Sequence, residues 1–513
     1  MTHDSRARCR VGVGRFAPVP GSGGESGVYT VAHVPYLHLD FLPVVGRWAL
    51  DILIRELCAV VGDKACLHGE SVDWAPFATE RRGLFVGRPL AVVAPASTAE
   101  VAEVVRLCAA ARVAMVPQGG NTGLCGGAVP DASGKQVVIA LRRMQRIRSL
   151  DAANDTMTVE AGCLLAKAKE AAAGAGRLLA LDLASEGSCQ LGGNVATNAG
   201  GNWVLRYGTM ADQVLGIEAV LPDGQIYNGL RAVRKDNTGY RLDDLFVGSE
   251  GTLGIVTACT LRLQPLPTTQ CTACVMVCDL EAAVDLLGLV RAALGDVVAA
   301  FEVIDAHAAD LVHRHMGTAL PFAPGFAWLV LLEAWGHDTA LEEGFALVLY
   351  QAMERGLAQD AILAESGPQR AALWALRENI SEAERRQGPS IKHDPAVPRS
   401  VLPGFEQAVR HAMEDFLPGC ALCVFGHLGD GNLHVNVFPP PGTEVTPGLW
   451  VQVNRIVYDL AVEYGGSFSA EHGVGALRRD ELRRHKNPTA LQLMRQIKDM
   501  LDPRNLMNPG KVL

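Results

Sequence analysis

Between Gly426 and Val437 a glycine-rich turn runs into an alternating strand, and the polar residues there are of a kind that could do chemistry. His434 and Asn436 are two apart, so on a strand they share one face, while Leu433, Val435 and Val437 take the other. The turn lets His427 fold back towards His434. Further on, Ser469-Ala470-Glu471-His472-Gly473-Val474-Gly475 puts a carboxylate and an imidazole side by side on a glycine-bounded loop. Two histidines and one carboxylate make a three-ligand set that leaves coordination positions open, as catalytic rather than structural metal sites do. A lone histidine is more often a satisfied hydrogen-bonding group. So dense a run of polar residues among glycines weighs against that for His427 and His434.

A second group is glycine itself. Pro117-Gln118-Gly119-Gly120-Asn121-Thr122-Gly123 continues to Gly126-Gly127. Gly187-Ser188 leads into Gly192-Gly193-Asn194, then Thr197-Asn198-Ala199-Gly200-Gly201, and Gly248-Ser249-Glu250-Gly251-Thr252-Leu253-Gly254-Ile255 follows. Glycine backbones approach a ligand closely and can turn successive N–H groups onto a pyrophosphate. Any one segment could be no more than a tight turn. Three in one α/β region point to a phosphate-bearing cofactor. No G-x-G-x-x-G follows a strand and no G-x-x-x-x-G-K-[ST] occurs, so the cradle is of neither the Rossmann nor the P-loop kind.

The elements that must position these groups are read from periodicity. Ser97 to Glu100 forms a capping box ahead of Val101, Val104, Val105 and Cys108 at helical spacing. Strands are expected at 114–116, 137–141, 156–160, 214–220 and 225–227, the last two flanking the turn Pro222-Asp223-Gly224. A long β-run covers 252–263 and ends at the linker Gln264-Pro265-Leu266-Pro267. Beyond it, helices at 280–293 and 338–355 alternate with strands such as 326–332. The last helix shows Leu491, Met494, Ile497 and Leu501 on one face and stops at Pro503. The expected organisation is an extension over 1–45, a cofactor domain over 46–266, a second α+β domain over 267–470 and a catalytic C-terminal segment over 471–513.

Bulk properties set limits. At 513 residues the chain exceeds one ordinary core, and a net charge of −9 excludes a nucleic-acid footprint. The odd count of 13 cysteines, without regular spacing, argues against a disulfide scaffold and for a reducing, cytoplasmic setting. The CxxC pairs Cys271/Cys274 and Cys420/Cys423 read better as core packing than as metal sites, with Cys274, Met276 and Cys278 alternating on one strand face. The apolar stretch from Phe41 to Gly62 is broken by Arg47, Asp51, Arg55 and Glu56, which suits an amphipathic surface helix and no membrane span. Residues 1–40 carry several arginines and few acids, a faint echo of a mitochondrial transit peptide, but their Gly/Ser stretch and lack of period favour a disordered extension.

Residues 117–127, 181–201, 206–208, 234–240 and 246–255 resemble the FAD-binding (PCMH-type) domain of the vanillyl-alcohol-oxidase superfamily. The branch they are similar to holds D-2-hydroxyglutarate dehydrogenase, D-lactate dehydrogenase and the glycolate oxidase flavin subunit; the resemblance runs from about Gly83 to Leu513. It implies an α+β fold in which the C-terminal segment returns to the flavin, and oxidation of a D-2-hydroxy acid by hydride transfer to flavin N5. D-2-hydroxyglutarate is the leading substrate, with D-lactate and glycolate as alternatives. The first two glycine segments would wrap the FAD pyrophosphate, and Glu250–Ile255 would lie as a strand along the isoalloxazine. Asn508, in Asn508-Pro509-Gly510-Lys511, matches a flavin contact. His427, His434 and Glu471 match ligands of a divalent metal, usually zinc, and His472 matches the catalytic base. Arg377, Ser381, Lys392 and Asn436 match substrate-binding positions, although His393-Asp394-Pro395-Ala396 departs from the usual run after the lysine. Asn121 stands where covalent members carry a histidine, so the flavin is expected to be bound non-covalently. A quinone, an electron-transfer flavoprotein or oxygen would accept the electrons. The assembly state, a homodimer included, stays open. Two rival readings remain at this point: a metal hydrolase, and a flavin-binding sensor without turnover.

Overall fold

The computed structural model describes residues 47–513, so the extension expected over 1–45, and any transit peptide in it, lies outside the described residues. The helix Arg47–Val61 buries Leu53, Leu57 and Val61 against Val101 and Val105, which is why its charges fall on the other side. Among the described residues no helix is long and apolar enough to cross a membrane.

Two sheets make the first half. One has the order Cys66–His68, Pro89–Val93, Gln136–Ala140, Met115–Gln118, with the last three strands parallel. Gln136–Ala140 is buried at every position, so it reads as a continuous apolar run rather than an alternating one. The helix Thr98–Ala110 starts as its sequence predicts, with Ser97 Oγ accepting from Glu100 N at 3.2 Å. The return bond of the box goes one residue back, from Ala96 N to Glu100 Oε2. The other sheet is antiparallel in the order Ile147–Asp151, Thr156–Glu160, Ile255–Arg262, Val214–Val220, Ile226–Asn228. Its last two strands are joined by the expected hairpin turn, where Leu221 N donates to Gln225 O at 2.9 Å.

The linker is tied down: Gln264–Pro265 pairs with Arg177–Leu178. After it comes one antiparallel six-stranded sheet in the order Asp360–Leu363, Thr269–Val277, Trp328–Gly336, Val298–Asp305, Ala421–Gly426, His434–Phe438. Helices Leu280–Leu294, Ala340–Glu354, Leu402–Phe416 and Pro447–Glu463 cover one face. Ala306–Met316, Gly367–Glu378 and Ile380–Gln387 cover the other. Arg206 NH1 donates to Trp335 O at 2.6 Å and Trp203 meets the Trp335 ring, so the segment after the second glycine run is docked onto this sheet.

Cys271 and Cys274 lie in cores on opposite faces of the sheet, three residues apart on one strand, and so cannot share an ion. Cys278 departs from expectation: it falls past the strand end at Val277 and is exposed. Replacing Cys271 and Cys274 by alanine is expected to leave metal content unchanged. Each replacement should lower unfolding stability by about 1 kcal/mol, the loss from deleting one buried atom group. Metal analysis with thermal melts of the two variants checks both.

The C-terminus returns to the first sheet. Met115 N donates to Leu506 O and Asn508 N to Met115 O, both at 2.7 Å, extending the sheet beyond its Met115–Gln118 edge. Lys498, at the end of helix Pro488–Leu501, donates to Thr252 O and Met507 O at 2.8 Å, fastening that return to the third glycine segment.

Candidate functional site

The first two glycine segments are pressed together. A Cβ on Gly120 would stand 2.1 Å from Ser188 O, so a side chain there would drive the loops apart. Between them and the third segment lies a cleft. Pro117, Gly119, Gly120, Asn121, Thr122 and Gly123 form one wall, Gly192, Gly193, Asn194 and Thr197 another, and Glu250, Gly254 and Ile255 a third. Gly187, Ser188, Asn198, Gly200 and Gly201 do not line it. Ser188 backs Gly120, Asn198 Oδ1 accepts from Ala211 N, and Gly201 packs on Asp182 O, so these residues shape the turn behind the wall. Asn508 is also behind the cleft, its Nδ2 donating to Gly127 O at 2.9 Å and Glu250 O at 2.8 Å. Glu250 does not begin a strand. It takes φ 51° in a turn, and the strand starts only at Ile255.

Gln190 Oε1 and Asn194 Oδ1 face the test of whether a flavin suits this cleft. Both belong to cleft-lining residues, both are buried acceptors, and neither has a partner among the described residues. Buried acceptors are normally satisfied, so they are matched by a ligand with N–H and O–H donors, which isoalloxazine and ribityl groups supply. Together with the close glycine loops, this fits a flavin dinucleotide. Gln190 and the thiol of Cys125 were not singled out from the sequence, because they are spacer residues among the glycines and only the fold decides what a spacer faces.

Glu250 also joins the two halves of the site. Its carboxylate accepts from Val474 N at 2.7 Å and Gly475 N at 2.8 Å, holding the Glu471–Gly475 loop against the cleft, where His472 is one of the lining residues. Burial raises the Glu250 carboxyl, with those two amides, Arg478 and Lys511 pulling the other way.

His427 follows the strand Ala421–Gly426 directly. Gly426 has φ 151°, and a Cβ there would meet Asn432 O at 2.6 Å, so glycine permits the tight return that brings His427 back to His434. One ligand atom from each of His427, His434 and Glu471 lies within 4.8 Å of the others. His427 Nε2 is 3.0 Å from Glu471 Oε1, and His434 Nε2 is 3.8 Å from Glu471 Oε2. His427 Nδ1 donates to Glu302 Oε1 at 2.6 Å, the carboxylate–histidine support that orients metal-ligating imidazoles. Burial drives His434 down to about 3, which keeps it neutral. Burial would raise Glu471, but His427, His434 and His472 hold it at about 2. Burial would lower His427 too, yet Glu302 and Glu471 hold it well above its ordinary range. A divalent cation among these donors would displace that proton. A neutral imidazole, a carboxylate and a supported second imidazole make a donor set that suits zinc.

His472 stacks on His434 with ring centroids 6.2 Å apart. Its Nδ1 lies 3.2 Å from Asp394 Oδ2, which leaves Nε2 to the open side. Asp394 also accepts from Glu471 N and His472 N, and Arg478 forms an ion pair with its other oxygen. Burial would raise the Asp394 carboxyl, but His472 and Arg478 hold it well below the usual carboxylate range. The run after Lys392 that departs from the family pattern therefore supplies the partner of His472.

The cations are not solvated charges. Arg377 Nε donates to Glu302 Oε2 at 2.8 Å and its Nη2 lies 3.5 Å from His427 Nε2. Lys392 is paired with Glu384, and Asn436 Nδ2 donates to the other oxygen of Glu384 at 2.8 Å. Ser381 is exposed, one helical turn from Glu384 on the same helix. Glu302, Glu384, Asp394 and Arg478 were missed in the sequence. A usable signal did exist for Glu302: a charge in the middle of the apolar run 298–304 demands a buried partner.

The chain is similar to known proteins over most of its length. Residues 89–229 match the family described as FAD binding domain, and 266–512 match FAD linked oxidases, C-terminal domain. The D-2-hydroxyglutarate dehydrogenase, mitochondrial, of Bos taurus is 38% identical over 459 residues, 88% of this chain and 81% of that protein. The corresponding Arabidopsis thaliana protein is 36% identical over 456 residues, covering 88% and 79%. The D-2-hydroxyglutarate dehydrogenase of Xanthomonas citri pv. viticola is 36% identical over 448 residues, covering 87% and 94%. Among solved structures, p-cresol methylhydroxylase with substrate bound superposes with a TM-score of 0.73 at 16% identity, covering 91% of this chain and 98% of that one. That likeness establishes the α+β, PCMH-type fold.

Proposed function

The chain belongs to the family of FAD-linked oxidoreductases that includes the D-2-hydroxyglutarate dehydrogenases, and on that footing we propose that it oxidises D-2-hydroxy acids, D-2-hydroxyglutarate to 2-oxoglutarate among them. The observation that carries this is the His427–His434–Glu471 group standing beside His472 at the edge of the flavin cleft. A hydrolase would have no use for that cleft, and a sensor none for the ligand set.

Arg377, beside His427, faces the substrate's C1 carboxylate, and Lys392 with Asn436 faces the tail. His472 Nε2 takes the proton of the α-hydroxyl, and Asp394 keeps the proton on Nδ1 so that Nε2 is the basic nitrogen. Bound FAD would accept the hydride from C2, and a divalent ion, zinc by its donor set, would polarise the hydroxyl. Glu250 keeps the two halves of the reaction in register by holding the His472 loop to the flavin wall.

Anaerobic titration with D- and L-2-hydroxy acids tests the reading. D-2-hydroxyglutarate should bleach the oxidised-flavin absorbance and its L-enantiomer should not. If no acid in the panel reduces the flavin, the assignment fails.

The flavin is held without a covalent bond. Asn121 offers no nucleophile, and its Nδ2 is turned to Thr79 O at 3.0 Å. Cys125, also in the cleft wall, donates to Gly473 O at 3.5 Å, and burial pushes its thiol up to about 11, which disfavours the reactive thiolate. Acid precipitation should therefore leave the yellow colour in the supernatant. Colour kept in the pellet would show a covalent link.

A further inference from the structure

Glu384 lies at the tail end of this site with its side chain fully out of solvent, while Lys392 keeps about a third of its side chain exposed, at 34%. The lysine thus stands between a buried carboxylate and the open side of the site. Asn436 sits two residues beyond His434 on the same strand face, roughly 6–7 Å along. Since Glu384 bonds to both Asn436 and Lys392, this pair stands at the Asn436 end of that face, one two-residue step from the metal-ligand His434. The two ends are charged differently. At the near end Glu302 is shared between Arg377 and His427. At the far end, among the described residues, Glu384 pairs with one cation, Lys392, and its remaining neighbours, the Asn436 amide and the Cys423 thiol, are uncharged.

We propose that Glu384 determines which tails are accepted: paired with Lys392, it makes the far end electroneutral, so D-2-hydroxy acids with uncharged tails are oxidised as well as those with a second carboxylate. This rests on the reading that Lys392 and Asn436 face the substrate. A second carboxylate bonding to Lys392 would share the ammonium with Glu384 and meet a like charge a few ångströms away, which offsets much of the attraction. An uncharged tail meets no unpaired charge. Neutralising Glu384 should therefore favour the diacid, and removing the charge of Lys392 should disfavour it. A purely structural role for the pair would move both variants in the same direction.

The test compares D-2-hydroxyglutarate with D-2-hydroxyvalerate, its length-matched monoacid, on the FAD- and metal-loaded full chain. Wild type should prefer the diacid by less than roughly 150-fold, the ratio that an uncompensated charge-assisted bond of ~3 kcal/mol would supply. The diacid-to-monoacid ratio of kcat/KM should rise at least about tenfold in Glu384→Gln and fall at least about tenfold in Lys392→Gln, with the double variant returning towards wild type. The ratio of Kd for 2-oxoglutarate and 2-oxovalerate, measured by calorimetry without turnover, should shift the same way. A larger wild-type preference overturns the proposal without any variant. So does an unchanged ratio, or both single variants shifting it in one direction. Failure of both acids to reduce the wild-type flavin removes the hydroxy-acid reading itself, a different result from a ratio that stays put.

Discussion

His472→Ala is expected to lower kcat by at least ~10²-fold while leaving FAD and metal content at wild-type levels, the low end of what a lost general base costs. The side chain is outside the three-ligand group, and its ionic partner, Asp394, keeps Arg478 and two backbone amides when the imidazole is gone. The buried carboxylate is thus not left uncompensated, and the loop should hold its shape. KM should change little, since in the proposed binding mode Arg377, Lys392 and the metal end, not His472, grip the substrate. Steady-state kinetics with metal analysis on the purified variant check this. A variant that keeps more than a tenth of wild-type kcat, or one that loses its metal, would remove His472 from the role of base.

His427→Ala and Glu471→Ala should each lose the divalent ion and at least ~10²-fold of turnover, yet retain FAD. Removing one of three protein ligands leaves too few donors for tight binding, and even residues behind the ligands typically matter 10–100-fold. FAD should stay because its cleft is walled by three glycine segments, and His427 and Glu471 are not among the lining residues. The electrostatics permit a folded variant. Without His427, Glu302 still has Arg377 at 2.8 Å, and without Glu471, His427 still has Glu302. Metal analysis beside the flavin spectrum decides the matter: full activity in a metal-free variant would refute the site.

Much of this site is legible in the chain because its signals are local. The turn before His434, the two-residue step to Asn436 and the Glu471-His472 pair need only strand geometry and glycine to be read. The Ser97 cap and the hairpin at Pro222–Gly224 are local in the same sense, each requiring only residues within reach of one turn. Glycine density marked the cleft but overreached: Gly200 and Gly201 are as glycine-rich as Gly192 and Gly193 but serve a turn behind the wall. Glycine composition reports backbone freedom and does not say whether a ligand or another loop uses it.

What only tertiary structure decided is how every charge in the site is compensated. Glu302 and His427 are 125 residues apart, Glu250 and Gly475 are 225 apart, and Asp394 and His472 are 78 apart. Lys392 and Glu384 are closer, at eight residues, but sit on a helix and the loop after it. From the residues alone, Arg377 and Lys392 look like ordinary solvated charges, and only the family resemblance matches them to substrate-binding positions. Folded, each already carries a buried carboxylate, which changes what the substrate must bring. A charge's partner is chosen by whichever element packs opposite it, and packing is set by the burial of apolar faces across the whole chain rather than by the residues beside it. Ligand types, their spacing and the glycine loops were therefore determined by the sequence alone, whereas the buried carboxylates that orient them came into view only once the six-stranded sheet and its helices had closed around them.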